Sequence, residues 1–388
     1  MENKDQPLSG IKILDLSRLL PGPYASMLLR QLGAEVIKVE DTGLGDYMRS
    51  FRPAAYTLLN AGNQSVALNL KTDEGCAFLR ALLADTDVLL ESFRPGVMER
   101  LGMGYDALKS DFPQLVYCSI SGFGQTGPYR DWPGHDANYM GVAGALDNGS
   151  KTGETNPLPV ADESSALFAA LSIVSAVYRC QKTGEGERID VSMTDSAAAI
   201  ALPMRAAHIG ADDEKGQTAQ THAMPGYGAY PCEDGKWLTL GAIEPQFWKG
   251  LCEVIGHEDW PTQNPDPRES NPKHIDAEIK KALKTKRRDD WIPLFEQADV
   301  PAAPLNQTRD ILDDPQIQAR QRFFQDANGL QMRYPVMMGV NENTPSNTQA
   351  PAQGEHTLEV LRRSGIDDET LQNALRSGAI RTNEIQTD

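Results

Sequence analysis

Cysteine is sparse in this chain: five residues in 388, scattered, with no C-x-x-C pair and no even framework. That pattern excludes a disulfide scaffold and leads us to expect reduced thiols in a cytoplasm. Positive charge is also in short supply. Lys and Arg number 37 against 54 Asp and Glu, for a net charge of -17. A nucleic-acid binder needs a basic face, and so does a protein that docks on anionic membrane, so neither partner is expected. An anionic small molecule remains compatible if a local cluster of Lys and Arg holds it. Long apolar runs are absent too. The longest, Ala166 to Tyr178, is about half a membrane span and rich in Ala and Ser, which reads as a buried helix. The opening MENKDQPLSG lacks the apolar centre of a signal peptide, and EIQTD at the other end carries no retention or peroxisomal address. No Walker A loop, G-x-S-x-G, H-E-x-x-H or His pair at ligand spacing occurs, so no metal is expected.

What is present first is alternation. Strand patterns at IKILDL, AEVIKVE, SVALNL, DVLLES and LVYCSIS are separated by helical periodicity at PYASMLLRQL and TDEGCAFLRALLADT. The first helix has Pro at its start and Gly33 after its end, and the second opens on an N-cap Thr. This order predicts an α/β fold with a parallel, helix-covered sheet. Farther on, ERIDVSM and an Ala-rich helix follow the apolar stretch, and GADDEKGQTAQT (210–221) has linker composition. YGAYPCEDGKWLTLGAI reads as a hairpin and DAEIKKALKTK as a helix of a smaller domain, with a last helical piece at HTLEVLRRSG.

Residues 122 to 139, GFGQTGPYRDWPGHDANY, pose a choice. They begin with G-x-G-x-x-G, the spacing of a dinucleotide loop. That motif needs a helix to open inside it, and here Pro128 and Pro133 follow with nothing periodic. No acidic residue ends a next strand to hold a ribose, so the glycines read as a turning loop over the sheet. The adjacent His135-Asp136 is different: it follows a parallel strand, at the edge where such folds place their sites. A second acid, Asp162, sits in PLPVADESSALFAA before the apolar helix. Asp162 or Ser164 reads equally as that helix's N-cap. Lys71, Arg94 and Arg100 read by themselves as solvated surface charge.

Several segments together are similar to a known family. PLSGIKILDLSRLLPGPYASMLLRQLGAEVIKVE, ESFRPGVMERLGMGYDAL, SGFGQTGP, GERIDVSMTDS and GEHTLEVLRRSG resemble the family III (CaiB/BaiF) CoA-transferases, in the same order along most of the chain. GHDANY and GAIEPQF resemble the α-methylacyl-CoA racemase branch. The resemblance implies that His135 and Asp162 are the two acid/bases and that Glu244, from the second domain, orients the His. It implies an acyl-CoA substrate and no cofactor. Leu68, Asn69, Leu70, Lys71, Ser92, Phe93, Arg94 and Arg100 would line the CoA path, and Gly134, Ala137, Asn138 and Tyr139 the substrate side of the His motif. It also implies a large Rossmann-like domain (1–210), a small α+β domain (211–320), a segment (321–388) returning to the large domain, and an interlocked homodimer whose sites lie between subunits. Two departures stand out. Glu163-Ser164-Ser165 replaces a glycine-rich stretch, and Asp41 stands after IKVE where some racemases place Arg. Asp136 aligns with the aspartate that transferases acylate, but those enzymes usually lack the preceding His and often carry Gln where this chain has Met140.

Racemisation of a 2-methylacyl thioester requires a base on each face of the α-carbon and donors for the enolate oxygen. A His suits one role because its ordinary pKa lies near neutrality. An Asp used as acid needs a raised pKa, which burial supplies. Backbone N–H groups at the start of the helix following Asp162 are the expected oxyanion donors. The alternatives are a CoA-transferase acting through an Asp136 acyl anhydride, and a CoA-binding protein without turnover.

Overall fold

In this computed structural model the described residues are 6–146, 158–206, 224–335 and 349–383. The linker expected at 210–221 falls outside them. The chain divides into two compact units, Met1–Arg205 with Gln321–Asp388, and Ala206–Arg320.

The larger unit is built on one sheet. Strands β1 (Lys12–Asp15), β2 (Glu35–Glu40), β3 (Gln64–Leu68), β4 (Val88–Glu91), β5 (Val116–Ser121) and β6 (Arg188–Ser192) run parallel in the order β3-β2-β1-β4-β5-β6. That order reverses between β1 and β4, as in a doubly wound nucleotide-binding sheet. Apolar residues alternate between its two faces. Ile13, Val88, Leu90, Val116, Cys118 and Ile120 point to one core, and Leu14, Leu89 and Tyr117 to the other. Burial on both faces is why these strands read as nearly continuous apolar runs. The first core is closed by helices Pro21–Gln31 and Val160–Thr183, through Ala25, Leu29, Ala166, Ala169 and Ile173. The second is closed by helix Asp73–Leu83 and by the chain's end, where Val360, Leu361, Leu371 and Ala374 are buried.

In the chain the small unit falls between the two segments of the larger one, and is described from residue 224 on. Strands β7 (Tyr227–Pro231), β8 (Trp237–Gly241) and β9 (Ala302–Leu305) form an antiparallel sheet. Helices Pro245–Ile255, Pro272–Leu283 and Arg288–Gln297 pack beside it around Trp248, Leu251, Ile279, Trp291 and Phe295. The predicted hairpin is β7–β8, and Gly235 supplies the left-handed residue its turn requires (φ 72°). Back in the larger unit, β10 (Phe323–Asp326) and β11 (Gly329–Met332) form a hairpin, and β12 (Ile380–Arg381) joins β3 antiparallel at the sheet edge.

Two expectations need correction. The first helix starts at Pro21 rather than Pro23, so it is Pro21 that holds the first helical position. The apolar stretch near 166 is only the middle of a 24-residue helix, long enough by length to span a membrane. It instead lays one side on the core, with Ala161, Ser165, Ala166 and Ala169 wholly buried and Leu167, Leu171 and Tyr178 exposed.

Candidate active site

Every candidate in the larger unit sits at the carboxyl edge of the parallel sheet. The loop after β1 is the most constrained. Asp15, fully buried, accepts from the Ser17 backbone N–H at 2.8 Å and from Ser26 Oγ at 2.7 Å. Lys38, also fully buried, donates to the Ser17 carbonyl and pairs with buried Asp46, each at 3.1 Å. Asp46 accepts in turn from the N–H of Leu19, whose φ of 66° is rare for a side chain of that size. The network fixes the backbone so that Arg18 projects outward. Its guanidinium lies 5.5 Å from the ring centres of both Phe93 and Tyr47 and 3.3 Å from Asp41.

Arg18 forms one wall of a cavity of about 370 Å3 at the ends of β1 to β4. Leu68, Asn69, Leu70, Lys71, Phe93 and Arg100, all expected on the CoA path, line the same space. Ser92 does not line it; its Oγ accepts the Arg18 N–H at 3.1 Å and so holds the β1 loop. Lys38 does not face it either, being consumed by Asp46, and Asp41 lines it at the position where some racemases place Arg. Glu40 on the same wall is accounted for. Burial works against its charge, but the two-pronged contact from Arg49 at 2.6 and 2.8 Å and the Lys38 charge outweigh it and hold its pKa below the usual range. A larger cavity, about 700 Å3, lies in the small unit, but Asp234, Asp289, Asp310, Asp313 and Asp314 line it, which suits a polyanion poorly.

The second constellation is the corner between β5 and the long helix. No helix opens inside the glycine motif, and the first one after it is Asp136–Val142. His135 is the N-cap residue of that helix; it is exposed, and its N–H donates to Asn138 Oδ1 at 2.9 Å. Asp136 then reaches across to the next helix. Its Oδ1 accepts from the N–H groups of Ala161 at 2.8 Å and Asp162 at 3.2 Å. Neither Asp162 nor Ser164 caps the long helix, whose first residue is Val160; the acceptor comes from a different segment. These two N–H groups at the helix start are committed to Asp136, and the next, that of Glu163, donates to the Pro159 carbonyl at 2.9 Å, so none of the three is left for an enolate oxygen. The serines that replace glycine are buried and bond back into their own helix, Ser164 to the Ala161 carbonyl and Ser165 to that of Asp162.

This arrangement acts on Asp162. Burial first, then the negative charges of Asp136 and Glu163, push its carboxyl up to about 7. Tyr139 closes the corner. Its hydroxyl donates to the Gly134 carbonyl at 2.5 Å, and its ring lies against Gly122 and Gly134, where a Cβ would come within 2.3 and 2.6 Å. The phenol is pushed up to about 12 by burial and by Asp162, with Arg94 opposing. Arg94 thus stands electrically close to the corner as well as next to Phe93 of the cavity. Ala137 is exposed on the first turn of the Asp136 helix.

Glu244 belongs to the other unit, where it is the exposed N-cap residue of helix Pro245–Ile255. Within the larger unit the structure thus brings together His135, Asp136, Asp162 and Tyr139, and separately the cavity residues. Sequence reasoning missed Arg18; its place in the short loop between the first strand and the proline-started helix was the available signal.

The chain belongs to CoA-transferase family III, whose family model matches residues 8–357. Its relatives carry two activities. It is 33% identical to mouse alpha-methylacyl-CoA racemase over 94% of this chain and 95% of that one. It is 30% identical to (R)-2-hydroxy-4-methylpentanoate CoA-transferase of Clostridioides difficile, covering 96% and 99%. The crystal structure of a CAIB/BAIF family protein from Brucella suis superposes with a TM-score of 0.82 at 27% identity, covering 92% of this chain and 99% of that one.

Proposed function

We propose that this enzyme is a 2-methylacyl-CoA racemase that moves the α-proton between His135 and Asp162 through an enolate. The observation that carries the reading is geometric: Asp136, the neighbour of exposed His135, accepts the Asp162 N–H at 3.2 Å and so ties both acid/base candidates to one corner, where burial pushes the Asp162 carboxyl up. A carboxyl pushed up to about 7 exists in both protonation states at neutral pH, as a residue that must donate in one direction and accept in the other requires. In one direction imidazole takes the proton from one face while the Asp162 carboxylic acid gives its own to the other. The enzyme then holds a proton on His135 and a charge on Asp162, and the reverse turnover restores them. The nucleotide half of CoA occupies the cavity bounded by Lys71, Phe93 and Arg100, and Arg94 lies on the way to the corner. No resident cofactor is needed. We place the enzyme in the cytoplasm as an interlocked homodimer in which Glu244 of one subunit orients His135 of the other.

The transferase reading makes Asp136 a nucleophile. Its Oδ1 already accepts two backbone N–H groups, so that oxygen is engaged in holding the start of the long helix. Solvent exchange separates the two. In deuterated buffer the wild type should place deuterium on the α-carbon of a 2-methylacyl-CoA with no acceptor acid present. His135→Ala and Asp162→Ala should each abolish racemisation, and Asp136→Asn should be the milder change. Hydroxylamine-trappable acylation of Asp136 with no exchange would establish the transferase instead.

A further inference from the structure

We propose that Arg130, which lies in the glycine-rich loop, is a phosphate ligand for the CoA substrate, paired with Arg100 across Gly96. The inference rests on reading the cavity as a CoA site, and is independent of the racemase chemistry. A Cβ built on Gly96 would lie 3.4 Å from Arg100 Nη1 and 3.4 Å from Arg130 Nη2, so the two guanidinium nitrogens are at most about 7 Å apart. A phosphate accepting charge-assisted hydrogen bonds of about 2.8 Å on each side bridges a gap of that width. Gly96 has φ 82° and no side chain, which leaves the space between the arms open. Arg100 also lines the cavity, so one arm of the pair stands on the cavity wall and Arg130 faces it from across Gly96.

Three further facts support a ligand there. The Nε of Arg130 is buried and has no hydrogen-bond partner. Among the described residues, no ion pair joins Lys71, Arg94, Arg100 or Arg130 to an acid, in a chain with 54 acidic residues. Like charges held this close repel one another, and a bound dianion removes that cost. The loop also holds Arg130 in place. Gln125 N–H donates to both oxygens of Asp190, at 3.2 and 3.0 Å. Thr194 Oγ1 donates to the Gly122 carbonyl at 2.9 Å. Tyr129 and Trp132 stack at 4.0 Å, with Phe123 edge-on to both. The glycines that mimic a dinucleotide loop thus serve a nucleotide after all, by presenting an arginine rather than a helix end.

The test uses the full chain and calorimetric titration with CoA, ADP and pantetheine. Arg130→Gln should weaken CoA and ADP binding by about tenfold or more and leave pantetheine unchanged, because only the first two carry phosphate. Arg130→Lys, which keeps the charge without the fork, should fall between. Unchanged CoA affinity in Arg130→Gln overturns the inference, and so does equal weakening of ADP and pantetheine, which marks a structural role. If Arg130→Gln does not fold, Arg130→Lys with wild-type ADP affinity overturns it. A wild type that binds CoA but exchanges no α-hydrogen rejects the racemase reading and leaves the arginine pair standing. One that binds neither CoA nor ADP overturns the pair.

Discussion

At the scale of single residues, the two acids of the corner have exchanged the roles their positions suggest. Asp162, placed where an N-cap belongs, is the acid with the raised pKa; Asp136, placed as the nucleophile, does the capping from another segment. The raised pKa of Asp162 has a consequence for stability. An unfolded Asp loses its proton near pH 4, and the folded carboxyl holds its proton to about 7. Below pH 4 both states keep it and no cost arises. From pH 4 to 7 the unfolded chain alone releases it, so this group's contribution falls; above 7 the cost is constant. Asp162→Asn removes that cost. It should be inactive yet more stable than wild type at pH 8, by on the order of 2 kcal/mol once partial exposure is discounted, with the gain shrinking toward pH 4.5. Urea denaturation at the two pH values measures it, and a less stable Asp162→Asn at pH 8 would show that the folded site prefers the charged form. His135 and Asp162 were legible as candidates from the loop and helix patterns around them. Arg18 and Arg130 were not, because a surface arginine and one held by a distant loop look alike until their neighbours are known.

At the scale of elements, strand positions followed from apolar runs, because a sheet covered on both sides leaves few polar positions. Element ends were less legible: helix Val160–Thr183 extends well past its apolar middle, over exposed residues, to a stop at left-handed Gly184 (φ 75°). The approach of helix Asp73–Leu83 to β3 was likewise invisible beforehand. Thr72 caps it, accepting from the Gly75 N–H at 3.1 Å, and a Cβ on Gly75 would fall 2.1 Å from the Asn69 carbonyl oxygen. That neighbour is backbone and cannot rotate away. Gly75→Ala should therefore cost about 2 kcal/mol or more of stability and shift Asn69–Lys71 at the cavity, weakening CoA binding. Denaturation and CoA titration of that variant at wild-type values would mean that the helix yields freely.

For the whole molecule, the proposed interlocked dimer makes a sharp prediction. If Glu244 of one subunit serves His135 of the other, a mixed dimer of His135→Ala and Glu244→Ala chains holds one site with both defects and one with neither. Co-refolded chains should then recover up to about half of the wild-type rate per dimer, although each variant alone is impaired. No recovery, with a mass of twice 42.5 kDa confirmed by light scattering, would place Glu244 and His135 on the same chain or apart altogether. The sequence by itself determined the α/β class, the run of strands and the residues able to carry proton transfer, because burial periodicity and side-chain chemistry are local properties. Only the tertiary structure decided which carboxyl is pushed up and which accepts the helix N–H groups, which cations face the cavity, and that Lys38 is spent on Asp46. Those outcomes depend on desolvation and on charges brought close by segments far apart in the chain, and no window of sequence contains them.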